Sequence, residues 1–283
     1  MSSFIFVADL FVDEYVGGAE LTTEAIMTSA NPTDSVLKVK CKDVTPKLID
    51  ENKDRHWIIG NFASLSDTNK LKLCKTVNYS LLEYDYKFCS YRSVELHQIQ
   101  TGNACDCVSR PSNKINLAFY GLAKKIWFMS DVQKNIFLSH VKTIKEERVG
   151  VLSSVFSKGD LRFIESISQN PKTDKYLIVK GNSWVKNFEG CLKYAQENEL
   201  LYEVVEKLPY HELLIKLSTS KGLIFLPAGA DTCPRLVIEA CLLGCELKLN
   251  ELVQHKDESW FKNASTAWEY LQERPDTFWG NYE

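Results

Sequence analysis

The chain has 283 residues, 45% hydrophobic and 25% charged, enough to bury the cores of two compact α/β domains without staples. A formal net charge of −3 gives no global basic field, which argues against tight charge-driven nucleic-acid binding and leaves open only a local basic groove. Nine scattered cysteines form no small-domain disulfide framework, no apolar run is long enough to span a bilayer, and the opening MSSFIFVADLF lacks a basic leader; a soluble cytoplasmic protein is expected, in the host cytoplasm if the source is viral.

In chain order, residues 4–8 (FIFVA) read as a buried first strand, followed by a loop with Gly17 and Gly18 and a helix over 20–27. Strands are expected at 57–59, 80–84 and 126–129, and helices at 69–75 and 131–138. The charged stretch 141–147 (VKTIKEE) marks a domain boundary, giving an N-terminal domain over 1–146 and a C-terminal domain over 147–283. Alternation then restarts, with strands at 149–152, 176–179, 202–205 and 222–226. Helices are expected at 158–168, 188–198, 211–218 and 235–243. Strands alternating with helices imply parallel sheets built from βαβ units, so the expectation is two Rossmann-like, doubly wound domains facing a cleft. Ligands in such sheets bind beyond the carboxyl ends of the strands, where the strand order reverses.

The segment 231–244 (DTCPRLVIEACLLG) is the most informative. Asp231 lies in the loop before a helix and Glu239 about one turn inside it, with the helix N-terminus between them. Free backbone N–H groups there suit a diphosphate, and a carboxylate inside the helix can accept from a ribose. Spacing alone is equally met by an N-capping Asp231 and a surface Glu239.

With its flanking residues, the segment resembles the E-x7-E signature of retaining GT-B glycosyltransferases of the family-4 type, Asp231 standing for the first glutamate. The resemblance implies a GT-B fold and transfer of a sugar from a nucleotide-diphosphate sugar, UDP- or GDP-linked, to a hydroxyl acceptor. The N-terminal domain would bind the acceptor and the C-terminal domain the donor. It further implies Glu239 as ribose ligand, Asp231 on the sugar hydroxyls, and Arg235, Leu236 and Val237 on the donor side. Gly17 and Gly18 correspond to the glycine loop near the donor phosphates, and Gly181 to a second donor-side loop. Leu208 and Tyr210 fall where the family stacks the nucleobase. Lys158 matches a diphosphate-binding lysine, but Ser153 replaces its arginine partner, for which Arg235 could compensate. Tyr84 and Asp85 occupy the place of a His-Asp pair, so the histidine is missing and Asp85 would face the transferred sugar or the acceptor. No catalytic metal is implied, because helix N-termini and basic side chains neutralise the diphosphate.

Cys89, His97, Cys105 and Cys107 offer soft thiolates and an imidazole suited to structural Zn2+, or are unligated reduced residues. A saccharide or glycoconjugate acceptor is expected. Two alternatives stand beside it: a phage-type enzyme glycosylating hydroxymethylated pyrimidines in DNA, with Lys38, Lys40, Lys42, Lys124 and Lys125 as a phosphate track, and a non-catalytic nucleotide-sugar-binding protein.

Overall fold

A computed structural model describes residues 2–181 and 183–282. The chain divides into two compact units, residues 1–155 with 275–283, and residues 156–274.

The first unit runs β1 (Ser3–Ala8), α1 (Gly18–Thr28), β2 (Ser35–Lys40), α2 (Pro46–Glu51), β3 (His56–Ile59), α3 (Asp67–Thr76), β4 (Asn78–Glu83), α4 (Val94–Thr101), α5 (Lys114–Leu122), β5 (Lys125–Phe128), α6 (Asp131–His140) and β6 (Val149–Val151). The strands form one parallel sheet in the order β2-β1-β3-β4-β5-β6. Ile5, Trp57, Ile58, Leu81 and Ile126 are fully buried, which is why these strands read as apolar runs rather than alternations. β2 is different: its residues SVLKVK are half exposed at the sheet edge, and the alternating lysines hid it from a search for apolar runs. Helix starts follow side-chain caps. Thr45, Ser66, Ser93 and Ser130 each accept from the backbone N–H three residues on.

The expected boundary at 146/147 is displaced. Residues 149–151 do not open the second unit; they pair with β5 as the sixth strand of the first sheet. The end of the chain also returns to the first unit. Helix α12 (Arg274–Trp279) brings the Trp279 ring against Phe4, centroids 4.8 Å apart, and its Nε1 donates to Ile26 O at 3.1 Å.

The second unit runs α7 (Lys158–Ile167), β7 (Tyr176–Lys180), α8 (Phe188–Glu197), β8 (Tyr202–Glu206), α9 (Tyr210–Ser218), β9 (Gly222–Phe225), α10 (Arg235–Leu242), β10 (Glu246–Leu249) and α11 (Ala264–Gln272). Its parallel sheet has the order β10-β9-β7-β8. Gly222 is dictated by packing, since a Cβ there would lie 2.2 Å from Glu246 O on the neighbouring strand. Beyond β10, His255 is completely buried, stacked 5.4 Å from Trp260 and edge-on to Phe261 at 4.5 Å. Trp260 stacks in turn on Tyr270 of α11 at 4.6 Å. No helix among the described residues is long and apolar enough to cross a membrane.

Burial pushes the His255 pKa down from 6.5 to about 3, so the neutral ring is the form that folds. A depressed histidine contributes its stability fully above the unfolded pKa and loses it as pH falls towards the folded value. Urea unfolding between pH 6.5 and 3 should therefore show a component of about 1.4 kcal/mol per pH unit that is absent from His255→Phe. Equal pH slopes in the two proteins would contradict it.

Candidate functional site

In the second sheet the chain moves from β7 outwards to β8, then crosses back to place β9 on the other side of β7. The reversal lies between β7 and β9, and their carboxyl ends are where a doubly wound sheet holds a ligand. The loops leaving these two strands are stitched together. Ala228 N donates to Val185 O at 2.9 Å, and Asn187 Nδ2 donates to Leu226 O at 2.8 Å. A Cβ on Gly229 would meet the Trp184 indole at 2.3 Å, so only glycine lets the ring lie on that backbone. Lys186 Nζ donates to Asp231 Oδ2 at 3.0 Å and stands 4.9 Å above the Phe225 ring. Asp231 is fixed on its other side by a bridge to Val253, with its N–H on Leu252 O. A half-exposed cation, a carboxylate and the start of α10 thus meet at the switch point. Sequence reasoning missed Lys186; the signal was a lysine five residues past Gly181 in KGNSWVK.

Glu239 is buried, not a surface residue of α10. Its Oε1 accepts from Tyr210 Oη at 2.7 Å and from Arg235 Nε at 3.0 Å. The guanidinium reaches Asp160 Oδ2 on α7 at 2.9 Å and lies 3.7 Å over the Phe156 ring. Burial pushes the Glu239 carboxyl above its ordinary value, and the Arg235 charge and the Tyr210 hydroxyl oppose that shift. Two expectations are corrected here. Arg235 is 4% exposed and held by side chains of its own unit, so it is not presented as a substitute phosphate ligand. Val237 is fully buried with its N–H on Pro234 O, so it belongs to the core rather than to a donor surface. Leu236 beside it is half-buried.

The other donor-side candidates lie open. Lys158 is exposed at the start of α7 and makes no ion pair among the described residues; Gly181 is exposed at the end of β7. Leu208 is exposed in the loop before α9, and Tyr210 begins that helix half-buried. Ser153 is fully buried in the first unit with a left-handed φ of 64°, a place that holds no long cationic side chain.

In the first sheet the order reverses between β1 and β3. Gly17 caps α1 and Gly18 opens it. Tyr84 Oη hydrogen-bonds Thr23 Oγ1 of that helix at 2.7 Å. Asp85 pairs with Lys87 at 3.3 Å and with Arg92, whose guanidinium also donates to Asn61 Oδ1 at 3.0 Å. Burial lifts the Glu20 carboxyl above its ordinary value, opposed by a backbone hydrogen bond and by Arg92. These groups gather at the carboxyl end of the sheet. At the opposite, amino end, a depression of about 690 Å3 is lined by Asp54, His56, Ser80, Lys124 and Tyr282. Strand polarity assigns it no part in nucleotide binding.

The five lysines of the expected phosphate track fall in two places, Lys38, Lys40 and Lys42 on and just after the edge strand β2 and Lys124 and Lys125 at β5. Lys38 pairs with Glu24 at 2.7 Å and Asp13 at 3.3 Å, and Lys40 with Glu14 at 2.6 Å. Lys124 and Lys125 lie at the start of β5, at the amino end of the sheet. Cys89, His97, Cys105 and Cys107 do come together, their ligand atoms all within 4.8 Å of one another.

No protein-family model and no curated protein sequence matches the chain. Solved structures do. HepE from Anabaena, in complex with UDP and glucose, superposes with a TM-score of 0.55 at 10% identity, over 98% of this chain and 96% of that one. An alpha-glucosyltransferase in complex with UDP-glucose and DNA containing an abasic site gives 0.53 at 10% identity, over 98% and 91%. A putative UDP-N-acetylglucosamine 2-epimerase from Listeria monocytogenes gives 0.50 at 8% identity, over 97% and 88%. The chain has the GT-B fold. Within this GT-B chain the second unit carries the E-x7-E-like segment at the switch point of its sheet.

Removing one member of a buried ion network leaves the others uncompensated, at a cost of about 3–5 kcal/mol. Arg235→Met should destabilise the protein by that amount in chemical denaturation. Glu239→Gln, which can still accept from Tyr210 and Arg235, should lose less. An Arg235→Met protein within about 1 kcal/mol of the parent contradicts the network's role.

Proposed function

We propose that the protein is a retaining glycosyltransferase of the family-4 type, moving a sugar from a UDP- or GDP-sugar to a hydroxyl acceptor. The second unit, residues 156–274, would bind the donor and the first unit the acceptor. The observation that carries this reading is the meeting of Lys186, Asp231 and the start of α10 at the switch point, with Glu239 one turn inside the helix. The pyrophosphate would lie against the N–H groups of the first turn of α10, with Lys186 and Lys158 supplying positive charge. A ribose hydroxyl would donate to Glu239 Oε2, the oxygen that neither Tyr210 nor Arg235 uses. Asp231 would hold the sugar hydroxyls, its orientation set by Lys186; in the first unit, Gly17 and Gly18 are assigned to the donor phosphates and Asp85 to the transferred sugar or the acceptor. Leu208 and Tyr210 would flank the nucleobase.

In transfer, the bond from the anomeric carbon to the diphosphate oxygen breaks, and the acceptor oxygen bonds that carbon on the same face. The acceptor proton passes to the departing diphosphate. No protein base is needed, which makes the missing histidine at Tyr84 compatible with turnover. The UDP complexes of HepE and of the alpha-glucosyltransferase support a UDP-linked donor. A saccharide or glycoconjugate acceptor is favoured over DNA because two of the five lysines of the expected phosphate track, Lys38 and Lys40, already face carboxylates and Lys124 and Lys125 lie at the amino end of the sheet.

Slow nucleotide release from a UDP- or GDP-sugar is the expected basal activity. Glu239→Gln and Lys186→Ala should each weaken UDP binding by about 10–100-fold, the value of one charge-assisted hydrogen bond. NMR of the transfer product should show the donor's anomeric configuration retained. An inverted product removes the retaining assignment, transfer to hydroxymethylcytosine DNA reassigns the acceptor, and donor binding without turnover across an acceptor panel supports the non-catalytic reading.

A further inference from the structure

The function just proposed makes no use of the buried thiol–imidazole cluster in the first unit. It sits in residues 84–113, the long connection from β4 to α5, whose only α-helix is α4. A connection of that length with so little regular structure needs something of its own to hold it. Besides Tyr86 and Phe88 it buries Cys89, His97 and Cys107, with Cys105 half-buried beside them.

The arrangement is directional. His97 Nδ1 lies 3.6 Å from Cys89 Sγ and 3.4 Å from Cys107 Sγ. A tetrahedral zinc with bonds of about 2.3 Å to sulfur and 2.0–2.1 Å to nitrogen has N···S edges of about 3.6 Å and S···S edges of about 3.8 Å. The observed N···S edges match, and the 4.8 Å span of the whole set is within a small contraction of the rest. The other imidazole nitrogen, Nε2, faces Asp106 Oδ1 at 3.6 Å, and Asp106 is itself held by Arg110. A metal-ligating histidine characteristically directs its second nitrogen to a carboxylate in this way. Cys107 Sγ accepts from Ser90 N at 3.5 Å and lies 3.4 Å from Ser90 Oγ, contacts that fix the position of the sulfur. Asn113 Nδ2 ties Phe88 O and Cys107 O together at 2.6 and 3.2 Å, fixing the two ends of the ligand set relative to each other.

We propose that Cys89, His97, Cys105 and Cys107 form a structural zinc site that clamps the β4–α5 connection. Three thiolates and one imidazole complete a tetrahedron, leaving no position for water or substrate, so the metal holds structure and does no chemistry. Its reach is nonetheless functional. Arg92, between the ligands Cys89 and His97, has a left-handed φ of 56° and carries the guanidinium that pairs with Asp85 and Asn61 at the carboxyl end of the first sheet. The clamp fixes the loop that presents that arginine.

The test is metal content and coordination of the full chain, independent of any sugar transfer. Protein purified under reducing conditions should carry one zinc per chain by elemental mass spectrometry. Replacement by Co2+ should give tetrahedral visible bands and an intense sulfur-to-cobalt charge-transfer band in the near ultraviolet. Cys105→Ser should lose the metal or bind it far more weakly, whereas Cys74→Ser, outside the cluster, should keep it. Asp106 is exposed, so Asp106→Asn should fold normally and weaken zinc binding by about 10–100-fold in chelator competition. Protein that purifies without zinc and gives no cobalt charge-transfer band overturns the proposal. So does zinc retained undiminished in both Cys105→Ser and Asp106→Asn.

Discussion

The buried guanidinium of Arg235 is the constraint on which the second unit's geometry depends. It joins three helices at once: Asp160 on α7, Glu239 on its own α10 and, through the shared Glu239 oxygen, Tyr210 on α9. Its flat face covers Phe156, so both its charge and its π-surface are satisfied internally. A helix N-terminus serves as an anion site only if it is held still, and this network holds the start of α10 against two neighbours at the switch point of the sheet. Because Arg235 is occupied there, the proposed donor site would draw its positive charge from Lys186 and Lys158. Tethering to Asp231 and a seat over Phe225 orient Lys186.

Much of the fold was legible from the sequence. Buried parallel strands are apolar throughout, so FIFVA, the strand at 57–59 and YLIV announced themselves. Edge strands β2 and β10 carry alternating lysines or glutamates and gave no such signal. The boundary was misplaced because VGV is a short strand preceded by charge, and only its pairing with β5 says which sheet it joins. Helix α12 illustrates the same limit: nothing local in RPDTFW states that Trp279 will donate to Ile26, far away in the sequence.

The site was legible in its residue types and less so in their partners. Spacing placed Glu239 inside a helix after an acidic loop residue, and the structure agrees. Spacing does not show that Arg235, one turn earlier on the same helix, folds back onto Glu239 and is buried with it. Nor does it reveal Lys186, whose relevance comes from β7 and β9 being neighbours in space though separated in sequence. The cysteine–histidine set shows the converse: its sequence spacing matches no familiar knuckle, yet the backbone brings all four ligand atoms together.

The central claim is that a nucleotide diphosphate binds at the carboxyl ends of β7 and β9, against the start of α10. A crystal structure of the protein with UDP tests it most directly. The account predicts pyrophosphate oxygens within hydrogen-bond distance of the first-turn N–H groups of α10 and the ribose at Glu239 Oε2, with Lys186 turned towards the phosphates. UDP bound elsewhere, such as in the depression beside His56 and Lys124 at the amino end of the first sheet, would contradict it.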